Sequence, residues 1–227
     1  GFNLTMPNKN KIVELLDDLS PEAQLIGAVN TVLNDNGKLI GYNTDGYGFM
    51  QSVRDAGHDI TGKNITVMGV GGASMAICAQ SALDGAASVH IFARRTSRYW
   101  NRTQKFAENL SAKTGCQVCL FDNDDHTALR DSIAQSYLLI NATSVGMVPD
   151  IDDTIIKDTS LFHPELVVAD VVYEPQETRL LKEAKAAGCQ TFNGMYMLLH
   201  QGAKAFQIWT GQEMPVSVIK EKYFSVK

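Results

Sequence analysis

The sequence predicts an α/β protein built on a doubly wound parallel sheet. Three observations carry that expectation. From about residue 62 onward, short apolar runs alternate with helix-like segments, the pattern that buries a parallel sheet between helical layers. The runs are four to seven residues long and bounded by turn residues, as strands buried on both faces are. A glycine-rich turn, Gly69-Val70-Gly71-Gly72, joins the first run to the first helix-like segment.

The elements follow in order. ITVMGV (65–70), VHIF (89–92), QVCLF (117–121), YLLIN (137–141) and LVVADVV (166–172) read as buried strands, and QTF (190–192) as a further short one. Between them, Ser74 to Leu83, Asn101 to Lys113, Asp124 to Gln135 and Glu177 to Ala187 read as helices. Gly188 follows the last of these as a helix-ending residue. The flanks differ. Residues 1–61 hold a helix-like stretch from Lys11 to Asp18, Ser20-Pro21, and a hairpin signal at Asn34-Asp35-Asn36-Gly37. After 193 comes a long helix, Met195 to Trp209, then Gly211 and a short helix from about Val216. The expected organisation is a smaller α/β lobe at 1–61, a dinucleotide-type domain at 62–193, and C-terminal helices at 194–227 that return to the smaller lobe. No internal repeat or low-complexity segment is present.

Composition narrows the function classes. The 227 residues are 44% hydrophobic and 20% charged, with a formal net charge of −5. A mildly acidic chain with no basic block is not a general nucleic-acid binder. No apolar run approaches membrane-span length, and no signal peptide is visible. A cytoplasmic protein acting on a small molecule, as monomer or homodimer, is expected. Of the four cysteines, Cys116 and Cys119 form a C-x-x-C. Residues three apart on a strand point to opposite faces, and no second Cys or His pair completes a tetrahedral set. They read as buried core thiols, and no metal site is expected.

The glycine turn carries a cofactor expectation. Gly69 permits the tight turn, and Gly71 with Gly72 lets backbone approach a pyrophosphate. Ala73 and Ser74 open the helix whose N-terminus receives the negative charge. Ser74 stands where a third glycine is usual, which makes the fingerprint an imperfect one. The end of the second strand then selects the cofactor. An acidic residue there would hold the ribose hydroxyl of NAD. The sequence instead runs Ala93-Arg94-Arg95-Thr96-Ser97-Arg98, with three arginines and no carboxylate. Arg94 and Arg95 suit the extra phosphate of NADP, so NADP is expected, with NAD still possible.

The front of the chain is rich in polar candidates: Lys9 in GFNLTMPNK, Asn30 in GAVNTV, and Asn43-Thr44-Asp45 in GYNTDGYG. Taken singly, these are a solvated amine and a turn or helix cap. Taken together they form a compact polar set just before a dinucleotide turn, the place for the proton chemistry that hydride transfer requires.

In this order, GFNLTMPNK, IGAVNTV, GYNTDGYG and GVGGAS resemble the shikimate dehydrogenase family. The resemblance continues through NATSVGM (141–147), ADVVYEPQETRLL (170–181) and GMYMLLHQGAKAF (194–206), and so covers essentially the whole chain. It implies a Rossmann-like NAD(P) domain with a smaller substrate lobe. It also implies reversible NAD(P)-dependent reduction of 3-dehydroshikimate to shikimate, or of 3-dehydroquinate to quinate, in the aromatic amino acid or quinate pathway. The paired arginines and HPELVV (163–168) look more like the quinate/shikimate branch, although the acidic residue typical after those arginines is absent, with Thr96 nearby.

The resemblance also implies roles. Lys9 matches the catalytic lysine and Asp45 its partner. Thr5, Asn30 and Gln201 match residues that hold the substrate hydroxyls and ring, and Tyr173 a tyrosine near the substrate carboxylate. Gly194 and Met197 match positions beside the nicotinamide, and Asn141, Thr143 and Arg94 match cofactor contacts. Family members carry a βα region upstream of the first motif, with a Ser-x-Ser pair that grips the substrate carboxylate. Nothing here matches it, so the chain reads as N-terminally truncated, with an incomplete substrate lobe. Two other classes are compatible with the architecture: a ligand sensor without turnover, and a folate-type NADP-linked dehydrogenase. The retained Lys9 and Asp45 argue against the first, and the pairing of NLTMPNK with NTDG against the second.

Overall fold

A computed structural model describes residues 1–5 and 7–224. Its larger sheet has six parallel strands: β5 (Asn64–Met68), β6 (Ser88–Ala93), β7 (Gln117–Asp122), β8 (Leu138–Asn141), β9 (Val167–Asp170) and β10 (Gln190–Phe192). They lie in the order β10-β9-β8-β5-β6-β7. The chain runs outward from β5 to β7, then crosses back to start β8 on the other side of β5. The reversal falls between the ends of β5 and β8, where Met68 pairs with Asn141. A doubly wound sheet opens a ligand crevice at that point.

Strand periodicity explains the layers. Ile65, Val67, Val89, Ile91, Leu138 and Ile140 face one cluster, together with α3 (Gly72–Leu83) and α4 (Trp100–Thr114). Met68, Phe92, Leu139 and Val168 face the other, against α5 (His126–Gln135) and α6 (Arg179–Ala186). Successive side chains point to opposite faces, and both faces are covered, which is why these strands read as continuous apolar runs. Ile65, Ile91, Leu138, Leu139 and Ile140 are fully buried. Each contributes about 1.5–3 kcal/mol through the apolar area it removes from water.

The smaller sheet has the order β1-β3-β4-β2, from β1 (Phe2–Asn3), β2 (Asp18–Leu19), β3 (Thr31–Asp35) and β4 (Lys38–Tyr42). The expected hairpin is β3–β4, turned by Asn36 and Gly37 at φ 51° and 98°. That pair of positive φ values matches the twist of the two strands. Helix α1 (Pro21–Ile26) is capped by Ser20, whose hydroxyl accepts from the Ala23 amide at 3.2 Å, with Pro21 at the first helical position.

Helix α2 (Asp45–Asp55) leaves β4 and carries the chain to the larger sheet. It packs against α3 and against α7 (Met195–Thr210). Both contacts are backbone on backbone. A Cβ on Gly46 would overlap the Ala76 carbonyl oxygen of α3, and one on Gly48 would lie 2.7 Å from the Gln201 amide and the Met197 carbonyl of α7.

Several expectations change. The stretch from Lys11 to Asp18 is a 3₁₀ helix only over Lys11–Leu15, and Asp18 begins a strand beside β4. The apolar run at 166–172 is strand only over Val167–Asp170, because Val172 turns back to hydrogen-bond the Asp170 side chain. The helix expected from Glu177 starts at Arg179, with Thr178 as its cap. The C-terminal helix α8 (Val216–Ile219) passes into a π-helical turn at Lys220–Phe224. Cys116 lies just before β7 and is buried, whereas Cys119 is only half-buried, so the core-thiol expectation holds for one of the pair.

Candidate active site

A cleft of about 540 Å³ opens between the two sheets. Lys9, Thr5, Asn30, Asp45, Tyr173, Gln201, Gly194, Met197 and Ala73 all line it. Residues named from stretches more than 190 positions apart therefore meet in one place. They arrive there because Lys9 follows β1, Asn30 precedes β3, Asp45 opens α2, and Met197 and Gln201 share one face of α7.

The polar core of the cleft is a directed network. The Lys9 ammonium donates to Asp45 Oδ2 at 2.6 Å, and the Asn30 amide donates to Asp45 Oδ1 at 2.9 Å. Asn30 Oδ1 accepts from the Thr44 backbone amide at 2.9 Å and from the Thr31 hydroxyl at 2.9 Å. A backbone donor cannot turn round, so Asn30 must present its NH₂ to Asp45. That same NH₂ reaches Gln201 Oε1 at 3.4 Å. The Asp45 side chain is 5% exposed and that of Lys9 19%, so the pair is shielded on the carboxylate side and open to the cleft on the amine side. Tyr173 stands exposed at the mouth.

The residues assigned to a cofactor divide into four places, of which Gly194 and Met197 in the cleft are the first. Gly69 has φ 110°, and a Cβ there would lie 2.8 Å from Thr143 Cγ2, so this turn closes only on glycine. Side chains at Gly71 and Gly72 would meet nothing, which leaves free space over the first amides of α3. No acidic residue stands in that helical turn. The shape and dipole fit a diphosphate. Ser74 is fully buried and donates to the Gly69 carbonyl at 2.5 Å, so the non-glycine position staples the turn instead of obstructing it. Across the crevice, Asn141 Oδ1 accepts from the Thr143 amide at 3.1 Å and from its hydroxyl at 2.6 Å.

Arg94 and Arg95 are exposed at the end of β6 and lie outside the cleft, where the adenosine end of a dinucleotide would reach. Arg95 is engaged twice. Its guanidinium sits 4.5 Å from the centroid of the Trp100 ring, and its backbone amide donates to Asp122 at 3.3 Å.

Several residues that matter here escape a linear reading. Asn3 lines the cleft and donates to the Asn30 carbonyl at 3.0 Å and the Thr31 hydroxyl at 2.9 Å. Val171 lines it from the loop after β9. Asp170 is fully buried and accepts from Asn141, Val172 and Thr178, and burial raises its pKa against the pull of those three donors. Its place in ADVVY was the available signal, a lone acidic residue in an apolar run. Burial pushes the Cys78 thiol up to about 12 and that of Cys116 to about 11, so neither is a nucleophile. Among the described residues no group of His, Cys, Asp or Glu could hold a metal ion, and no helix is long and apolar enough to cross a membrane.

Comparison with known proteins gives the same picture. Residues 1–32 match the family model described as the shikimate dehydrogenase substrate binding domain, and residues 194–222 the shikimate 5'-dehydrogenase C-terminal domain. A shikimate dehydrogenase (NADP(+)) of Listeria innocua is 52% identical over 224 residues, covering 99% of this chain and 77% of the relative. A quinate/shikimate dehydrogenase of Escherichia coli is 42% identical, covering 97% and 76%. Among solved structures, the Listeria monocytogenes shikimate 5-dehydrogenase in complex with shikimate and NAD superposes with a TM-score of 0.93 at 52% identity, covering 96% of this chain and 75% of that one. A Corynebacterium glutamicum quinate dehydrogenase in complex with NAD gives 0.86 at 34% identity, covering 99% and 77%. The fold, the cleft chemistry and identities of this size over nearly all of its length make the chain a member of the shikimate dehydrogenase family.

Proposed function

We propose that the protein is a shikimate/quinate dehydrogenase, an NAD(P)-dependent oxidoreductase that interconverts 3-dehydroshikimate and shikimate, and 3-dehydroquinate and quinate. The observation that carries this reading is the Lys9–Asp45 pair, set in a polar cleft beside the glycine turn. The named relatives support both the activity and the two substrates.

The chain's own residues account for the steps. The bound reduced nicotinamide supplies the hydride. Lys9 points its ammonium into the cleft, donates a hydrogen bond to the ring carbonyl, and passes a proton to that oxygen as it becomes a hydroxyl. In the reverse direction Lys9 takes the proton back. Asp45 keeps the amine aimed and balances its charge, and Asn30 keeps Asp45 aimed. Thr5, Asn30 and Gln201 offer directed partners to the substrate hydroxyls, so analogues lacking a hydroxyl bind weakly. Tyr173 stands near the substrate carboxylate, and Gly194 and Met197 flank the nicotinamide. Gly69, Gly71, Gly72, Ala73 and Ser74 hold the diphosphate, with Asn141 and Thr143 on the facing wall. NADP is the preferred cofactor, with Arg94 reading its extra phosphate, and NAD is also accepted.

Formation of reduced cofactor by the protein, with shikimate and quinate each assayed against NAD and NADP, tests this. Turnover in the shikimate–NADP combination is expected. A blank in all four combinations, from folded protein that still binds nucleotide, overturns it in favour of a sensor.

A further inference from the structure

The structure assigns Asp170 as the positioning residue that fixes the nicotinamide wall of the cleft relative to its substrate wall, an inference that rests on the dehydrogenase reading. Asp170 ends β9 and touches no cleft space itself. Its side chain instead joins two side chains and one backbone amide, and the segment around that amide reaches the cleft through Val171 and Tyr173. Oδ1 accepts from Asn141 Nδ2 at 3.0 Å and from the Val172 amide at 2.9 Å, and Oδ2 accepts from the Thr178 hydroxyl at 2.8 Å.

Two of these bonds lead to the site. Asn141 organises Thr143, which packs on Gly69 in the glycine turn. The bond to Val172 turns the chain sharply, so that Val171 and Tyr173 line the cleft. The Val172 carbonyl then accepts from the Gly194 amide at 3.2 Å, which sets the start of α7 and with it Met197 and Gln201. The Val171 amide bonds the Asn141 carbonyl at 2.9 Å and closes the circuit. Thr178 caps α6 and anchors the far end of the loop. One carboxylate thus braces both the glycine-turn side of the crevice and the loop that leads to α7, beside a site where small misplacements cost large factors in rate.

What the carboxylate supplies is acceptors in fixed places, and an amide can supply most of them. An Asn at 170 keeps an oxygen toward Asn141 and Val172 and donates to Thr178, leaving one buried N–H unpaired. Asp170→Asn is therefore expected to lower Tm yet keep kcat within about threefold. Asp170→Ala removes the whole junction. Its kcat for shikimate oxidation is expected to fall by at least about tenfold with KM within about threefold, because binding contacts remain while the reacting atoms drift apart. The isotope effect on kcat, with deuterium at the hydride-donating carbon, is expected to rise as hydride transfer becomes rate-limiting. Thr178→Val, which removes a single branch, gives a smaller fall of the same kind and serves if the alanine variant does not fold.

Amide hydrogen exchange reads the same variants without turnover. Faster exchange at both 171–173 and Gly194 is expected in the alanine or valine variant, and wild-type protection in Asp170→Asn. An inactive wild type would thus sink the dehydrogenase reading and leave the junction measurable. A lower Tm with unchanged kcat, isotope effect and exchange overturns the positioning role. So does an Asp170→Asn protein that is folded and inactive, since that outcome requires the charge.

Discussion

Asp45→Asn is the sharpest test of the catalytic network, because the substitution is isosteric and the structure dictates what it breaks. Asp45 meets a donor at each oxygen, Lys9 at 2.6 Å and the Asn30 amide at 2.9 Å. An asparagine has one oxygen to offer. Asn30 cannot turn over to compensate, because the Thr44 amide and the Thr31 hydroxyl hold its own oxygen. One NH₂ must therefore face either the ammonium or another NH₂. The variant loses a charge-assisted bond and gains a donor–donor contact at a group only 5% exposed. Breaking a buried pair costs about 3–5 kcal/mol. The Lys9 side is open to solvent, which reduces the expected loss in transition-state stabilisation to about 2–4 kcal/mol. That is roughly a 30- to 1,000-fold fall in kcat/KM. Steady-state assays at saturating cofactor would measure it, with cofactor titration as the control. A kcat/KM within about threefold of wild type would refute the argument that Asp45 aims Lys9.

Four further outcomes are expected. Lys9→Ala cuts turnover by orders of magnitude with cofactor affinity unchanged, measured by initial rates and fluorescence titration; near-normal turnover removes Lys9 from the mechanism. Arg94→Ala weakens NADP binding more than NAD binding by calorimetry, and equal losses would place the phosphate reader elsewhere. Gly69→Ala weakens both cofactors and lowers Tm, because its φ of 110° and the contact with Thr143 leave no room for a methyl group. Burial holds the imidazoles of His58, His90 and His200 below their ordinary value, because it disfavours the charged ring. Below about pH 6.5 the unfolded chain binds protons that these folded sites refuse, so Tm falls as pH drops from 7 to 5. A Tm flat across that range would show that these rings charge freely in the folded protein.

Much of the architecture was legible because strands buried on both faces announce themselves as apolar runs. Ile65–Met68 and Leu138–Asn141 are examples. Helix α2 was only half legible, because Asn43-Thr44-Asp45-Gly46 reads as a turn or a helix cap, and Gly46 and Gly48 gain their reason only once α3 and α7 are seen to require bare backbone there. Val171 and Val172 looked like more strand, since their departure is commanded by a side-chain bond from the preceding aspartate. In the site, Lys9 and Asp45 were readable from motif order. Asn3 and Asp170 were not, because their importance lies in which partners the fold brings to them. Arg95 was readable as a basic residue at the right strand end, but not its commitment to the Trp100 ring.

The two glycines of α2 have a consequence for how this enzyme can diversify. The helix bearing Asp45 rests on the helix that follows the glycine turn and on the helix bearing Gln201, and at both contacts main chain meets main chain. Main-chain atoms have no rotamers to relax into. The spacing of Asp45, the glycine turn and Gln201 is therefore machined into the fold. The exposed rim residues Thr5 and Tyr173 lie outside this rigid gauge and can be exchanged without moving the helices they surround.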